Sequence, residues 1–336
     1  MLLMPNFIKM IIFPLIIMNL LLMSSCTSFI FLWILFEFSL ILFSSLIMNN
    51  SNKSHESSYI YFIPQILASI LFFFSCTQLL YSPIPFMFIN KKFFSFIITL
   101  SMALKLGMAP MHFWFISVCE TASWFSILLL STLMKLPPLL TMFYFKFEIS
   151  FWFLIIFFSV IFSLMGINSS SLKKIIGFSS MNQLSWIVMI MNFSKIFLLV
   201  YFILYISMMI QIIYIFNLFN LLTLFNLFSL MLSHKIPLFM IYLNFLSLNG
   251  LPPFIGFYIK FFTIKFMLFY KFYWMTLFMI MSSIISMLFY LSMISPSFFM
   301  LSKEVKVNNM MFPLDKNFNY IIFFSLLLPL QTFSFM

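Results

Sequence analysis

Apolar runs of about 20 residues, separated by short polar or proline-bearing breaks, succeed one another from Phe7 to Met336. A helix rises about 1.5 Å per residue and the hydrocarbon core of a bilayer is about 30 Å thick, so each run matches one membrane crossing. The runs and their breakers predict eleven spans, over residues 7–24, 27–48, 59–81, 93–118, 124–144, 149–167, 172–193, 195–216, 236–264, 273–295 and 318–336. The polar stretches Asn49–Ser58, Asn168–Ser171 and Lys303–Lys316 carry groups that hydrocarbon leaves unsatisfied, and they punctuate the pattern. Residues 217–233 are ambiguous, being apolar enough to lie in the interface as a lateral segment. No stretch is long enough for a separate soluble domain. The pattern therefore predicts an all-α polytopic membrane protein with a single membrane domain over residues 1–336.

Composition strengthens that reading. Charged residues make up 7% of the chain against about 25% in soluble proteins, and the mean hydropathy is +1.18. The start, Met1 to Met10, has one basic residue and no small-residue cleavage site beyond the first apolar run, so it reads as a retained span. The net charge of +11 is carried by lysine without any arginine, scattered singly or in pairs through apolar sequence. Nucleic-acid binding needs clustered cations facing phosphates, and no such patch exists here. Loop lysines divide almost evenly between the two sides, leaving orientation open. Cys26, Cys76 and Cys119 form no metal-ligating or CxxC spacing and read as small apolar fillers. Met at 30 and Phe at 54, beside Gly at 5, indicate an A/T-rich genome in which a second codon reads Met, as in animal mitochondria.

Beyond the first three residues of any predicted span, four charged residues fall inside the spans: Glu37, Lys105, Lys135 and Lys260. On insertion scales each costs roughly 2.5–3.5 kcal/mol at the centre of a span, a sum comparable with the stability of a whole domain. Lys91, Lys92, Lys146, Lys195, Lys265 and Lys271 lie near span ends, where the stem can snorkel to the interface. Lys105 and Lys135 are too deep for that and need a buried partner or a water-filled path. The deep lysines also sit beside helix breakers. Lys105 precedes Gly107 and Pro110, Lys135 precedes Pro137-Pro138, and Lys260 follows Gly250, Pro252-Pro253 and Gly256. Broken spans at membrane depth are where transporters place ion sites. Desolvation favours a neutral amine and a nearby carboxylate favours the ammonium, so moving a carboxylate or its proton switches a lysine between holding and releasing a proton. Glu37 is the mid-span acid available for that. His112, beyond Lys105, is a candidate proton relay or else a satisfied hydrogen-bonding residue. Ser131 and Thr132 precede Lys135 by three and four residues, where their hydroxyls either hold water or pack helices.

Four ordered blocks carry a family resemblance: Leu104 to Trp114 (LKLGMAPMHFW), Met134 to Leu139 (MKLPPL), Lys174 to Trp186 (KIIGFSSMNQLSW) and Leu246 to Lys260 (LSLNGLPPFIGFYIK). They resemble the chain 2 family of mitochondrial NADH:ubiquinone oxidoreductase, the antiporter-like membrane subunits of respiratory complex I. The related chains 4 and 5 are longer. The resemblance implies two inverted five-helix repeats whose discontinuous fourth and ninth helices carry Lys105 and Lys260. It further implies that Glu37 is the modulating glutamate, Lys105 its paired lysine, Lys135 the central relay and Lys260 the terminal proton-exchange lysine. A family member pumps protons across the mitochondrial inner membrane, driven by quinone reduction elsewhere. It holds no redox centre or metal, whereas the complex uses NADH, FMN, iron-sulfur clusters and ubiquinone. Its partners are other complex I membrane subunits, neighbouring antiporter-like chains among them, and phospholipid, with no nucleic acid. Two departures stand out. Ile116-Ser117-Val118 replaces the family's Pro-Glu-Val after Trp114, leaving Glu120 as an interfacial loop residue, and Asn182-Gln183 replaces the usual Asn-His. The alternatives are a free-standing cation/proton antiporter, a structural membrane subunit whose lysines sit in static ion pairs, and a quinone-site subunit, the last without a supporting cleft motif.

Overall fold

The computed structural model describes residues 4–48, 52–81, 88–108, 110–145, 149–191, 193–227, 235–252 and 254–301, and among these the fold is helical. The predicted span 318–336, the break Lys303–Lys316, residues 49–51 and residues 228–233 of the ambiguous stretch lie outside the described residues. Contacts divide the chain into two compact units, Met1–Ile155 and Ile156–Met336.

The first unit contains α1 (Met4–Ser25), α2 (Phe29–Ile47), α3 (Asn52–Tyr81), α4 (Phe88–Leu106), α5 (Phe113–Thr121), α6 (Trp124–Ser131), a 3-10 turn (Leu133–Lys135) and α7 (Leu136–Tyr144). Helix α3 is its organising element and packs against α2, α4 and α5. It also corrects the sequence reading, since it begins at Asn52 inside a stretch expected to be a loop. A helix satisfies its own backbone wherever it lies, and the Ser57 and Ser58 hydroxyls donate to the carbonyls of Ser54 and His55 three residues back.

The predicted fourth span is two helices. Helix α4 ends in a Schellman motif: Met108 N–H donates to the Ala103 carbonyl (2.8 Å) and Gly107 N–H to that of Leu104 (3.0 Å). This needs a left-handed residue, which Gly107 supplies at φ +69°. The fifth span is also interrupted. Pro137 and Pro138 cannot donate to carbonyls one turn back, so α6 stops at Ser131 and α7 restarts with the prolines in its first turn. The 3-10 turn between them contains Lys135.

Helix α8 (Ile149–Ile167) crosses the boundary, and the second unit continues with α9 (Leu172–Met191), α10 (Lys195–Leu218), α11 (Lys235–Asn249), α12 (Ile255–Phe269) and α13 (Tyr273–Leu301). Helix α9 is buried along almost its whole length although it carries Ser179, Ser180, Asn182, Gln183 and Ser185. It packs on α10, α12 and α13, which shield those polar groups from lipid. The predicted ninth span is broken as the fourth is. Helix α11 ends with Leu251 N–H donating to the Leu246 carbonyl and Gly250 N–H to that of Ser247, Gly250 standing at φ +80°. After α10 the chain turns at Asn220, φ +50°, and is pinned by a bridge between Ser171 and Thr223. The first part of the ambiguous stretch is thus the end of α10 and a tied turn, with residues 224–227 helical again where the described residues stop.

Five of these segments are long and apolar enough to cross a membrane: Phe29–Ile47, Ser54–Leu80, Trp124–Tyr144, Lys195–Leu218 and Tyr273–Ser295. Exposed positions are themselves apolar, as at Leu21, Ile63, Ile203, Phe269 and Trp274. Such a surface requires lipid or other subunits against it.

Candidate functional site

Burial of the three deep lysines is nearly complete: Lys105 is 8% exposed, Lys135 2% and Lys260 5%. By contrast Lys92, Lys195, Lys265 and Lys271 are exposed, as snorkelling requires, and the side chains of Lys91 and Lys146 lie outside the described residues.

In the first unit Lys105 occupies the last turn of α4, next to the break. Its ammonium lies 3.5 Å from the centroid of the Phe36 ring and 6.0 Å from that of Phe72, so two aromatic faces receive it. Glu37, half-buried on α2 and adjacent to Phe36, is near enough for its charge to act on that ammonium. The backbone carbonyl of Lys105, freed at the helix end, accepts from Gln65 Nε2 at 3.1 Å. Lys135, on the 3-10 turn, holds its ammonium 4.6 Å from the centroid of Phe115 and within electrostatic reach of Cys119. Lys105 and Lys135 line a single cavity with Phe36, Tyr61, Gln65 and Phe115. The space open to water centres is about 20 Å³, above the roughly 10–15 Å³ needed to seat one water. Two buried amines thus line one chamber, walled by aromatic and aliphatic side chains as well as by Ser39, Tyr61 and Gln65, with room for about one water.

His112 does not line this chamber. Its Nδ1 lies 3.2 Å from the Pro110 carbonyl and its ring lies tilted beside that of Phe113, centroids 4.1 Å apart, which places it in the α4–α5 break. Ser131 and Thr132 both donate to the Leu128 carbonyl, the ordinary fate of hydroxyls in an apolar helix, and they do not line it either. Glu120 is exposed near the end of α5.

In the second unit Lys260 reaches back across the α11–α12 break. Its Nζ donates to the Asn249 carbonyl at 2.8 Å, so the ammonium sits on the negative end of α11, 5.3 Å from the Trp186 ring. Asn249 Oδ1 accepts from the Ser286 hydroxyl, which fixes α11 to α13. Gln183 Nε2 donates to the Leu248 carbonyl, and Tyr201 donates to Gln183 Oε1. Each broken helix therefore has a glutamine from another helix on a carbonyl near its end: Gln65 in the first unit, Gln183 in the second. Gln65 was not singled out on sequence, and Gln183 only as a departure from the family's Asn-His pair. Their signal was an amide inside an apolar run, Gln65 directly after Pro64 and Gln183 in place of a histidine. Among the described residues no group of three or more His, Cys, Asp or Glu side chains could hold a metal.

Residues 26–286 match the family model described as NADH:quinone oxidoreductase/Mrp antiporter, TM. The chain is 31% identical over 308 residues to NADH-ubiquinone oxidoreductase chain 2 of Anopheles gambiae, covering 88% of this chain and 89% of that one. It is 32% identical over 305 residues to the chain 2 protein of Artemia franciscana, covering 90% and 94%. Among solved structures, a chain of respiratory complex I from Thermus thermophilus with bound aureothin superposes with a TM-score of 0.82 at 15% identity, over 93% of this chain and 74% of that one. A chain of the archaeal membrane-bound sulfane sulfur reductase gives 0.79 at 15% identity, over 96% and 73%. By these matches the chain belongs to the NADH:quinone oxidoreductase/Mrp antiporter family, among the NADH-ubiquinone oxidoreductase chain 2 proteins.

Proposed function

We propose that the chain is a core membrane subunit of respiratory complex I that translocates protons across the mitochondrial inner membrane, coupled to NADH oxidation and ubiquinone reduction elsewhere in the assembly. The observation that carries this reading is the shared water-sized chamber of Lys105 and Lys135, built where two helices break, in a chain of this family. With Glu37 ionised, the Lys105 ammonium is held against Phe36. When the carboxylate is neutralised or withdrawn, the Lys105 ammonium loses the charge that offsets its desolvation, and it gives its proton through water in the chamber to a Lys135 amine that has already released its own proton onward and stands neutral. Lys260 serves as the terminal exchange group, and His112 is a relay candidate at the α4–α5 break, outside the chamber. The reading includes eleven spans, two inverted five-helix repeats and a single antiporter-like domain. It also includes other complex I membrane subunits, neighbouring antiporter-like chains and phospholipid as partners. The NADH, FMN, iron-sulfur and ubiquinone chemistry belongs to the complex outside this chain.

The test is substitution in the assembled complex. Lys105→Ala and Lys135→Ala should each lower the number of protons translocated per NADH oxidised in sealed vesicles. Wild-type stoichiometry in both would overturn the proposal, as would migration of the native protein as a lone oligomer, the outcome that a free-standing cation/proton antiporter predicts. A structural reading has one observation behind it, the bond from Lys260 to the Asn249 carbonyl, which also clamps the break. If that clamp were the whole role, Lys260→Ala would reduce assembly and leave the stoichiometry of the surviving complex unchanged.

A further inference from the structure

The second unit contains two buried amide atoms that its protein groups leave unmatched. Gln211 Oε1 on α10 and Asn244 Nδ2 on α11 have no hydrogen-bond partner among the described residues, although the two residues are only 9% and 1% exposed. Buried polar atoms are nearly always paired, so two on facing helices demand an explanation. Both residues line one small cavity between α10, α11 and the start of α12, with about 10 Å³ open to water centres, the space of a single molecule. The two atoms are complementary, one an acceptor and the other a donor. A water between them would accept a hydrogen bond from Asn244 Nδ2 and donate one to Gln211 Oε1. Its second hydrogen has acceptors at hand in the hydroxyl oxygens of Ser207 and Ser247, which line the same cavity and whose own hydrogens are committed to Leu204 O and Asn244 O. Three partners are what a buried water ordinarily has.

A neighbouring cavity of the same size shares Leu204, Met208 and Ser247 and extends to Gln183, Leu248 and Gly256, at the α11–α12 break. Ser247 is common to both and stands two residues before the end of α11, where Lys260 bonds to Asn249.

We propose that Gln211 and Asn244 form a site for one ordered water between α10 and α11, and that this water hydrates the approach to the Lys260 break through Ser247. Amides hold and orient water without taking up its proton, so both are positioning residues. The water-binding part stands alone, and the hydration of the Lys260 approach rests on the proton-translocation reading.

The experiment is a density map of the intact complex at a resolution that shows ordered water, combined with a double-mutant cycle in the same complex. The expected map has a single peak within hydrogen-bonding distance of Gln211 Oε1 and Asn244 Nδ2. Thermal stability of Gln211→Met, Asn244→Leu and the double variant should be non-additive. Each single change strands one amide, whereas the double removes both and loses less than the sum. A dry gap, a direct Gln211–Asn244 hydrogen bond, or additive losses would overturn the site. The double variant should assemble and translocate fewer protons per NADH oxidised. Wild-type stoichiometry there, with the water present in the parent, would sink the hydration role alone, while the Lys105 and Lys135 variants separately decide the function on which it rests.

Discussion

At the scale of single residues the second unit shows how little room a helix break allows. A Cβ on Gly256 would lie 1.8 Å from the Ser247 carbonyl oxygen, a backbone atom of α11 that cannot move aside. Gly256→Ala should therefore separate α11 from α12 and abolish accumulation of the subunit in the complex, measured by native electrophoresis; normal assembly would contradict the close crossing. At Gly107 the difficulty is conformational, because alanine at φ +69° costs about 1–2 kcal/mol. Gln65 is a different case. Gln65→Leu leaves the Lys105 carbonyl buried without its donor, a loss of about 1–3 kcal/mol, and thermal denaturation of the complex should shift downward accordingly. Lysines beside breakers were legible in the sequence. The glutamines that stabilise the breaks were not, because an amide in an apolar run does not reveal which distant carbonyl it meets.

At the scale of elements, proline and glycine decide where helices stop, and those stops place the ionisable groups. Lys135 lies on a 3-10 turn because Pro137 and Pro138 forbid a continuous helix from α6 into α7. Replacing both prolines by alanine removes that bar. The expected result is a subunit that still assembles but translocates fewer protons per NADH, because Lys135 is turned from the chamber; unchanged stoichiometry would show that the turn does not set its direction. Sequence reasoning located the breaks near Lys105, Lys135 and Lys260 from local stereochemistry. It misplaced the start of α3 by seven residues, reading Asn52–Ser58 as loop. Polarity excludes such a segment from hydrocarbon but does not exclude helix, and the serine hydroxyls there satisfy themselves on the helix's own carbonyls.

At the scale of the whole molecule, Glu37 provides the most direct test of charge coupling in the first unit. Glu37→Gln keeps the shape and removes the charge acting on Lys105, so translocation per NADH should fall while assembly is retained. Equal stoichiometry would mean that Lys105 does not depend on that carboxylate. Alternating apolar runs and breakers were enough by themselves to determine a helical membrane protein with lysines beside its interruptions, because length, hydropathy and the stereochemistry of glycine and proline act locally. Tertiary structure alone decided that Lys105 and Lys135 share a chamber that excludes His112, Ser131 and Thr132, and that Lys260 closes back on the end of its own broken helix. Those outcomes depend on which faces of α2, α3 and α5 meet around a lysine and on how tightly two glycines let backbones cross. Such contacts join residues far apart in the chain, where no local periodicity records them.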